Sequence, residues 1–231
     1  MKRDGGTGGT SRLQISSEAD WRARIAANLK RASAQRIRAL FSEINPHLVG
    51  DRLFEDRWSD IRKDAAVLVP IVARADGPSV LFTVRSPDMP SHAGQISFPG
   101  GKVQPEDESV VAAALREAHE EVNIRPDQVN VLGALGVHQG GLGFSVTPVV
   151  GVVDPAADIR ACPREVAEVF EAPLAFFADL ANHRTEERRH NGVAYNMFAA
   201  PYGRHHIWGL TAGILRTLAE TLQDEEAALR R

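Results

Sequence analysis

The chain has 231 residues, with 43% hydrophobic and 25% charged residues. That is the balance of a globular protein with a core of its own, and it excludes a mainly disordered, collagen-like or coiled-coil chain. The net charge of −3 and the single Cys162 exclude a global positive field for nucleic acid, an intramolecular disulfide framework and a multi-cysteine zinc site.

Residues 1–16 are Gly-, Ser- and Thr-rich and predict a disordered tail. Residues 17–64 predict an N-terminal helix and a connector. Trp21, Ile25, Leu29 and Ala32 recur at helical spacing from Ser17, an N-cap with Asp20 three positions on as a weak capping box, to about Phe41. This helix packs on the main domain or serves a homodimer; a basic helix on nucleic acid or membrane is the weaker reading. Asn45-Pro46 ends it, and Trp58 is expected to dock the connector. Residues 65–231 form the main domain. Ala65 to Ala73 and Ser79 to Val84 read as a hairpin about Asp76-Gly77-Pro78. Residues 86–106 read as a long functional loop and 107–122 as a helix broken at Asn123. Val129 to Val137 and Val146 to Val153 are strand-like, with a glycine-rich loop between them. Glu165 to Phe170 is a short strand or turn, and 173–182 a short helix. A hairpin is expected from 193–199 and 205–208, then a closing helix from Thr211 to about Leu229. The interleaving without a strict βαβ rhythm predicts an α/β fold with a mixed central sheet covered by helices. No apolar run is long enough for a membrane span and no signal peptide is visible, so a cytoplasmic protein is expected.

The helix at 107–122 carries the chemistry. Val111, Ala114, Leu115, Ala118 and Val122 make its core face, and Glu117, Glu120 and Glu121 converge beside it at i, i+3 and i+4. Ala113, one turn below, is expected to leave room above the surface. Like charges in the last turn repel one another and face the negative end of the helix dipole. A hard divalent cation, Mg²⁺ or Mn²⁺, explains the cluster; a solvated acidic face is the bland alternative. The turn Phe98-Pro99-Gly100-Gly101 feeding this helix suits a metal-bound diphosphate.

Arg116-Glu117-Ala118-His119-Glu120-Glu121-Val122 resembles the box of the Nudix hydrolases: Gly, five residues, Glu, seven residues, Arg-Glu, apolar, any, Glu-Glu, any, Gly, apolar. Here six residues separate Gly101 from Glu108, and Asn123 replaces the closing Gly, a mild change because Asn also tolerates a left-handed helix end. Leu81 to Ser86, His92-Ala93-Gly94-Gln95 and Phe98 to Gly101 are similar to the extra motif upstream of the box in the coenzyme A diphosphatases; Val146 to Gly151, Glu165 to Phe170 and Trp208 to Leu215 are similar to later stretches of the same group. Pro90 departs from that group, which commonly has a basic residue there, so a 3′-phosphate needs another cation or the substrate differs.

The resemblance implies a Nudix-like α/β/α sandwich with an added N-terminal helix. It implies metal-dependent hydrolysis of the diphosphate of coenzyme A or its derivatives to 4′-phosphopantetheine and adenosine 3′,5′-bisphosphate. ADP-ribose or a dinucleoside polyphosphate is the alternative substrate, and a catalytically silent nucleotide-binding regulator is a third reading. The metal ligands are then Glu117, Glu120 and Glu121, with Arg116 holding Glu117. Glu120 is the expected base and Glu168 the second choice. Arg85, His92, Gly100, Gly101 and Lys102 are expected against the small-molecule nucleotide substrate, each weighed against an ordinary structural role.

Overall fold

The fold follows from two apolar runs that the computed structural model places at the centre of one sheet; it describes residues 18–29, 34–52, 63–140, 143–190 and 192–223. Strands β1 (Lys63–Arg74) and β2 (Gly77–Arg85) turn at Gly77, whose φ of +121° suits a residue without a side chain. They pair antiparallel from Ile71↔Val80 to Arg74↔Gly77 and then splay apart. The other edge of β1 runs parallel to β7 (Phe144–Val153), from Lys63↔Phe144 to Val72↔Val153. Strands β5 (Val129–Ala134) and β6 (His138–Gln139) add to β7, and β8 (Val166–Pro173) adds to β2, all antiparallel. One parallel pair among antiparallel ones makes the sheet mixed, as the sequence predicts.

The splay between β1 and β2 is filled by the loop expected at 86–106. Its end folds into β3 (Ile96–Ser97), paired to β2, and β4 (Gly100–Lys102), paired to β1. Phe98 stands at the crossing, buried, with its ring stacked on Phe82 at 5.2 Å between centroids. Pro99 O accepts from Leu68 N at 2.9 Å, so the Gly-containing turn is hydrogen-bonded into the sheet.

Alternation along each strand sends successive side chains to opposite faces. Ala66, Leu68, Leu81 and Val149 face helix α3 (Val110–Val122). Val69, Ile71, Phe82 and Val150 face the other way. There they pack with α1 (Glu18–Asn28), α4 (Leu174–Ala178) and α5 (Gly209–Leu222), which completes an α/β/α sandwich. No helix among the described residues is long and apolar enough to cross a membrane.

The N-terminal region differs from the single helix expected over 17–41. Helix α1 stops at Asn28, and a second helix, α2, runs over Ala34–Ile44. The two follow different surfaces. Helix α1 buries Trp21, Ile25 and Leu29 in the same core as the sheet, and Asn28 Nδ2 donates to Thr221 O at 3.0 Å. Leu29 fits over Gly133, a bulge position with φ +148°, where a Cβ would lie 2.7 Å from the leucine Cδ1. Helix α2 is tied instead to strand β10 (Val193–Ala199): Asn45 Nδ2 donates to Asn196 O at 3.0 Å and Asn45 Oδ1 accepts from Asn196 N at 2.6 Å. Ser17 and Trp58 lie outside the described residues.

The expected hairpin of 193–199 with 205–208 is also corrected. Strand β10 pairs along its length with β9 (Arg184–His190), and 205–208 contributes isolated bridges at Ala199↔Trp208 and Tyr202↔His205. The strand β9, Arg-Thr-Glu-Glu-Arg-Arg-His, has no apolar alternation because neither of its faces is buried in the core.

Candidate active site

Helix α3 is fixed at both ends. Ser109 Oγ accepts from Ala112 N at 3.1 Å, so the helix begins at Val110 and not at 107. Asn123 takes the left-handed conformation (φ +59°) and turns its N–H back to the carbonyls of Ala118 and His119. Its side chain donates to Asp158 O at 2.7 Å, and Arg160 N and Cys162 N bond the carbonyls of Val122 and Glu121. The last turn, which carries the acids, is therefore capped from two sides.

The buried stripe of α3 is wider than the sequence suggests. Ala113 is fully buried and does not leave an open place beside the acids; Glu121 is buried with it. Glu117 is half-buried and Glu120 is exposed. Glu121 Oε2 accepts from Gly100 N at 3.3 Å, and a Cβ on Gly101 would lie 2.5 Å from the Glu117 carboxylate carbon. A Cβ on Gly100 would strike the Ala66 carbonyl and Val67. The two glycines are thus required by contacts inside the chain: the first lets β4 lie on β1, and the second lets Glu117 stand against the turn.

Arg116 organises the near side. Its Nε and Nη2 bond both oxygens of Asp107 at 2.9 and 3.0 Å, and Nη1 reaches Glu117 Oε1 at 2.8 Å and Glu120 Oε2 at 3.3 Å. Nη2 also donates to Lys102 O at 3.1 Å. Asp107 was missed from sequence. It follows Gly101 after five residues, as the family pattern asks of its first acid, but eight residues rather than seven separate it from Arg116; Glu108, which keeps the seven, is exposed. Arg116 holds Asp107 well below the usual carboxylate range, and the Asp107 bonds hold the guanidinium charged.

Electrostatics single out Glu121. Burial foremost, then the neighbouring Glu117, pushes its carboxyl up to about 8. Burial also raises Glu117, against the opposing pull of Arg116. The charge of Glu165, just before β8, raises both, and sequence reading does not single it out. Arg85 is the cation that lowers Glu121, so the first part of the extra motif is folded toward the acids. Three acids stand in electrical contact with too little positive charge beside them, and all the donors are hard oxygens, which is the environment a divalent cation fits. Among the described residues, no three acidic, His or Cys side chains already stand close enough to hold an ion.

Other expected residues have visible partners. Arg85 Nε donates to Ser91 O at 3.0 Å. His92, with φ +59°, pairs its Nδ1 with Gln95 Oε1 at 2.9 Å, the loop-stabilising contact weighed for it. Lys102 is exposed. Glu168 is not brought to the cluster. It pairs with Val84 on the sheet face that carries Phe82 and Phe170, opposite α3. Its Oε1 accepts from Arg204 Nη2 at 2.6 Å and lies 3.2 Å from His205 Nε2.

Comparison with known proteins matches residues 62–190 to the NUDIX domain. A protein of Photorhabdus laumondii described as an uncharacterized Nudix hydrolase NudL is 42% identical over 167 residues, 72% of this chain and 89% of the relative. Its counterpart in Citrobacter koseri is 45% identical over 158 residues, 68% of this chain and 82% of the relative. Among solved structures, a NUDIX hydrolase from Alicyclobacillus acidocaldarius aligns with a TM-score of 0.45 at 18% identity, over 73% of this chain and 96% of that one.

Proposed function

Since this chain belongs to the Nudix hydrolase family, we propose that it cleaves the diphosphate of coenzyme A or a derivative, giving 4′-phosphopantetheine and adenosine 3′,5′-bisphosphate. The observation that carries the reading is the arrangement of Glu117 and Glu121 against Gly100-Gly101, with the extra motif's Arg85 near enough to lower the Glu121 carboxyl. Glu117, Glu120 and Glu121 are the residues that would hold a divalent cation, Mg²⁺ or Mn²⁺, with Glu165 adding negative charge. Such a cation supplies charge neutralisation at the diphosphate and acidifies water.

The chain's own residues do the rest. Arg116 fixes Glu117 through one oxygen and leaves the other open. Gly101 keeps the space in front of that carboxylate free of a side chain. Glu120, exposed in the same turn, accepts the proton of the attacking water. Arg85 lies where it can meet an anionic substrate entering beside Glu121, and water has access from the Glu120 side. The reading is a cytoplasmic enzyme acting on a small nucleotide.

The test is product analysis with Mg²⁺ across coenzyme A, ADP-ribose and NADH. Release of adenosine 3′,5′-bisphosphate from coenzyme A as the fastest reaction is expected. Faster cleavage of ADP-ribose would replace the substrate and leave the family untouched.

A further inference from the structure

The opposite side of the Gly101 strand carries charge that the diphosphate site does not use. Strand β4 alternates: Gly101 pairs with Ala66 and faces α3, so Lys102, which pairs with Ala65, faces the other way. Lys63 opens β1 on that same face and pairs with Phe144, the first residue of β7. Both ammonium groups gather over the Phe144 ring, Lys63 Nζ at 5.6 Å and Lys102 Nζ at 6.0 Å from its centroid. Both lysines are exposed, and among the described residues neither ammonium has an ion-pair partner.

Two like charges brought to one ring, with no counter-charge among the described residues, repel each other. The ring quadrupole offsets part of that repulsion while consuming none of the N–H donors and none of the charge. What results is a pair of exposed ammonium groups gathered at one ring, which leaves their N–H donors unused. A phosphate monoester, with close to two negative charges and three acceptor oxygens, matches such a pair.

We propose that Lys63 and Lys102, steadied by Phe144, bind a phosphate monoester that a nucleotide substrate carries outside its scissile diphosphate. The lysines touch the ligand; Phe144 is a positioning residue. The subsite deepens the substrate reading given above and rests on it for the identity of the nucleotide. Its position, at the strand ends on the far side of β4 from Glu117, separates it from the acids that handle the diphosphate.

The experiment measures binding of adenosine 3′,5′-bisphosphate and of 5′-AMP by calorimetry to the full chain in EDTA, so that no turnover is needed. The wild type is expected to bind the bisphosphate at least about tenfold more tightly, as one charge-assisted contact pair would give. The double variant Lys63→Met/Lys102→Met is expected to lose that preference while 5′-AMP binding changes less than about threefold. Phe144→Leu is expected to reduce the preference and Phe144→Tyr to keep it; far-ultraviolet circular dichroism checks that each variant is folded. Equal binding of the two nucleotides by the wild type, or a preference that survives the double variant, overturns the subsite. Failure to cleave coenzyme A with the preference intact would remove the substrate reading and leave the subsite standing.

Discussion

Glu121 makes a sharp thermodynamic prediction. Its carboxyl, ordinarily near 4.5, is pushed up to about 8 by burial and by Glu117. Between these values the folded chain retains a proton that the unfolded chain has released. Stability from this group is therefore full below pH 4.5 and is lost as pH rises through 8. At about 1.4 kcal/mol per pH unit, the loss approaches roughly 3–5 kcal/mol. Glu121→Gln keeps the shape and an acceptor for Gly100 N but cannot ionise. In EDTA, urea denaturation followed by tryptophan fluorescence should show the variant gaining on the wild type from pH 5 to 8.5, by about 1.5–2.5 M in midpoint for a urea slope near 2 kcal/mol per M. Millimolar Mg²⁺ at pH 8 should restore the wild type and not the variant, because the cation favours the ionised carboxylate. Parallel pH curves in EDTA, or equal stabilisation of both proteins by Mg²⁺, would refute the account of Glu121 as a buried acid awaiting a cation.

Three further outcomes are expected. Gly101→Ala sets a methyl group 2.5 Å from the Glu117 carboxylate carbon, so it should lower kcat at least about tenfold with little change in melting temperature. Arg116→Ala removes both guanidinium bonds to Asp107, leaving only Gln104 N as a donor to it among the described residues, and should lower both the melting temperature and the activity. His138, buried against Thr217, has its imidazole pushed down to about 3 from the ordinary 6.5. Its contribution to stability is present above pH 6.5 and lost as pH falls toward 3, so His138→Gln should flatten the acid limb of the stability profile.

How much of this was legible in the sequence depended on which physical signal each element carries. Helix α3 was plain because its apolar spacing and Asn123 agree; its start at Ser109 was not read. The β1–β2 hairpin was plain from two apolar runs about a glycine turn. The break between α1 and α2 was hidden because apolar spacing continues while the packing partner changes, from Gly133 to Asn196. Strand β9 carries charge on both faces and gives no period at all. In the site, Glu117, Glu120 and Glu121 were readable from helical spacing, but their unequal burial was not, since it depends on β4 crossing over Glu121. Glu168 was named in place of Glu165 because the face a residue takes near a strand end is set by register, and β8 pairs with β2 in the register that turns Glu168 away from α3. Asp107 satisfies the count from Gly101 and Glu108 the count to Arg116, so spacing alone leaves both open.

The wedge that fills the fork between β1 and β2 ties the glycines of the site to the deepest aromatic stack. Phe98 rests on Phe82, which in turn contacts Phe170 and Phe177. Pro99, Gly100 and Gly101 continue from it along β1. Pulling the Pro99–Gly100 segment off β1 would thus pull an anchor from the interior, whereas a shift of the Glu117 carboxylate alone would not. Loosening the Arg85–Gln95 bend would break local backbone bonds alone, whereas loosening the glycine turn would also unseat the Phe98 stack.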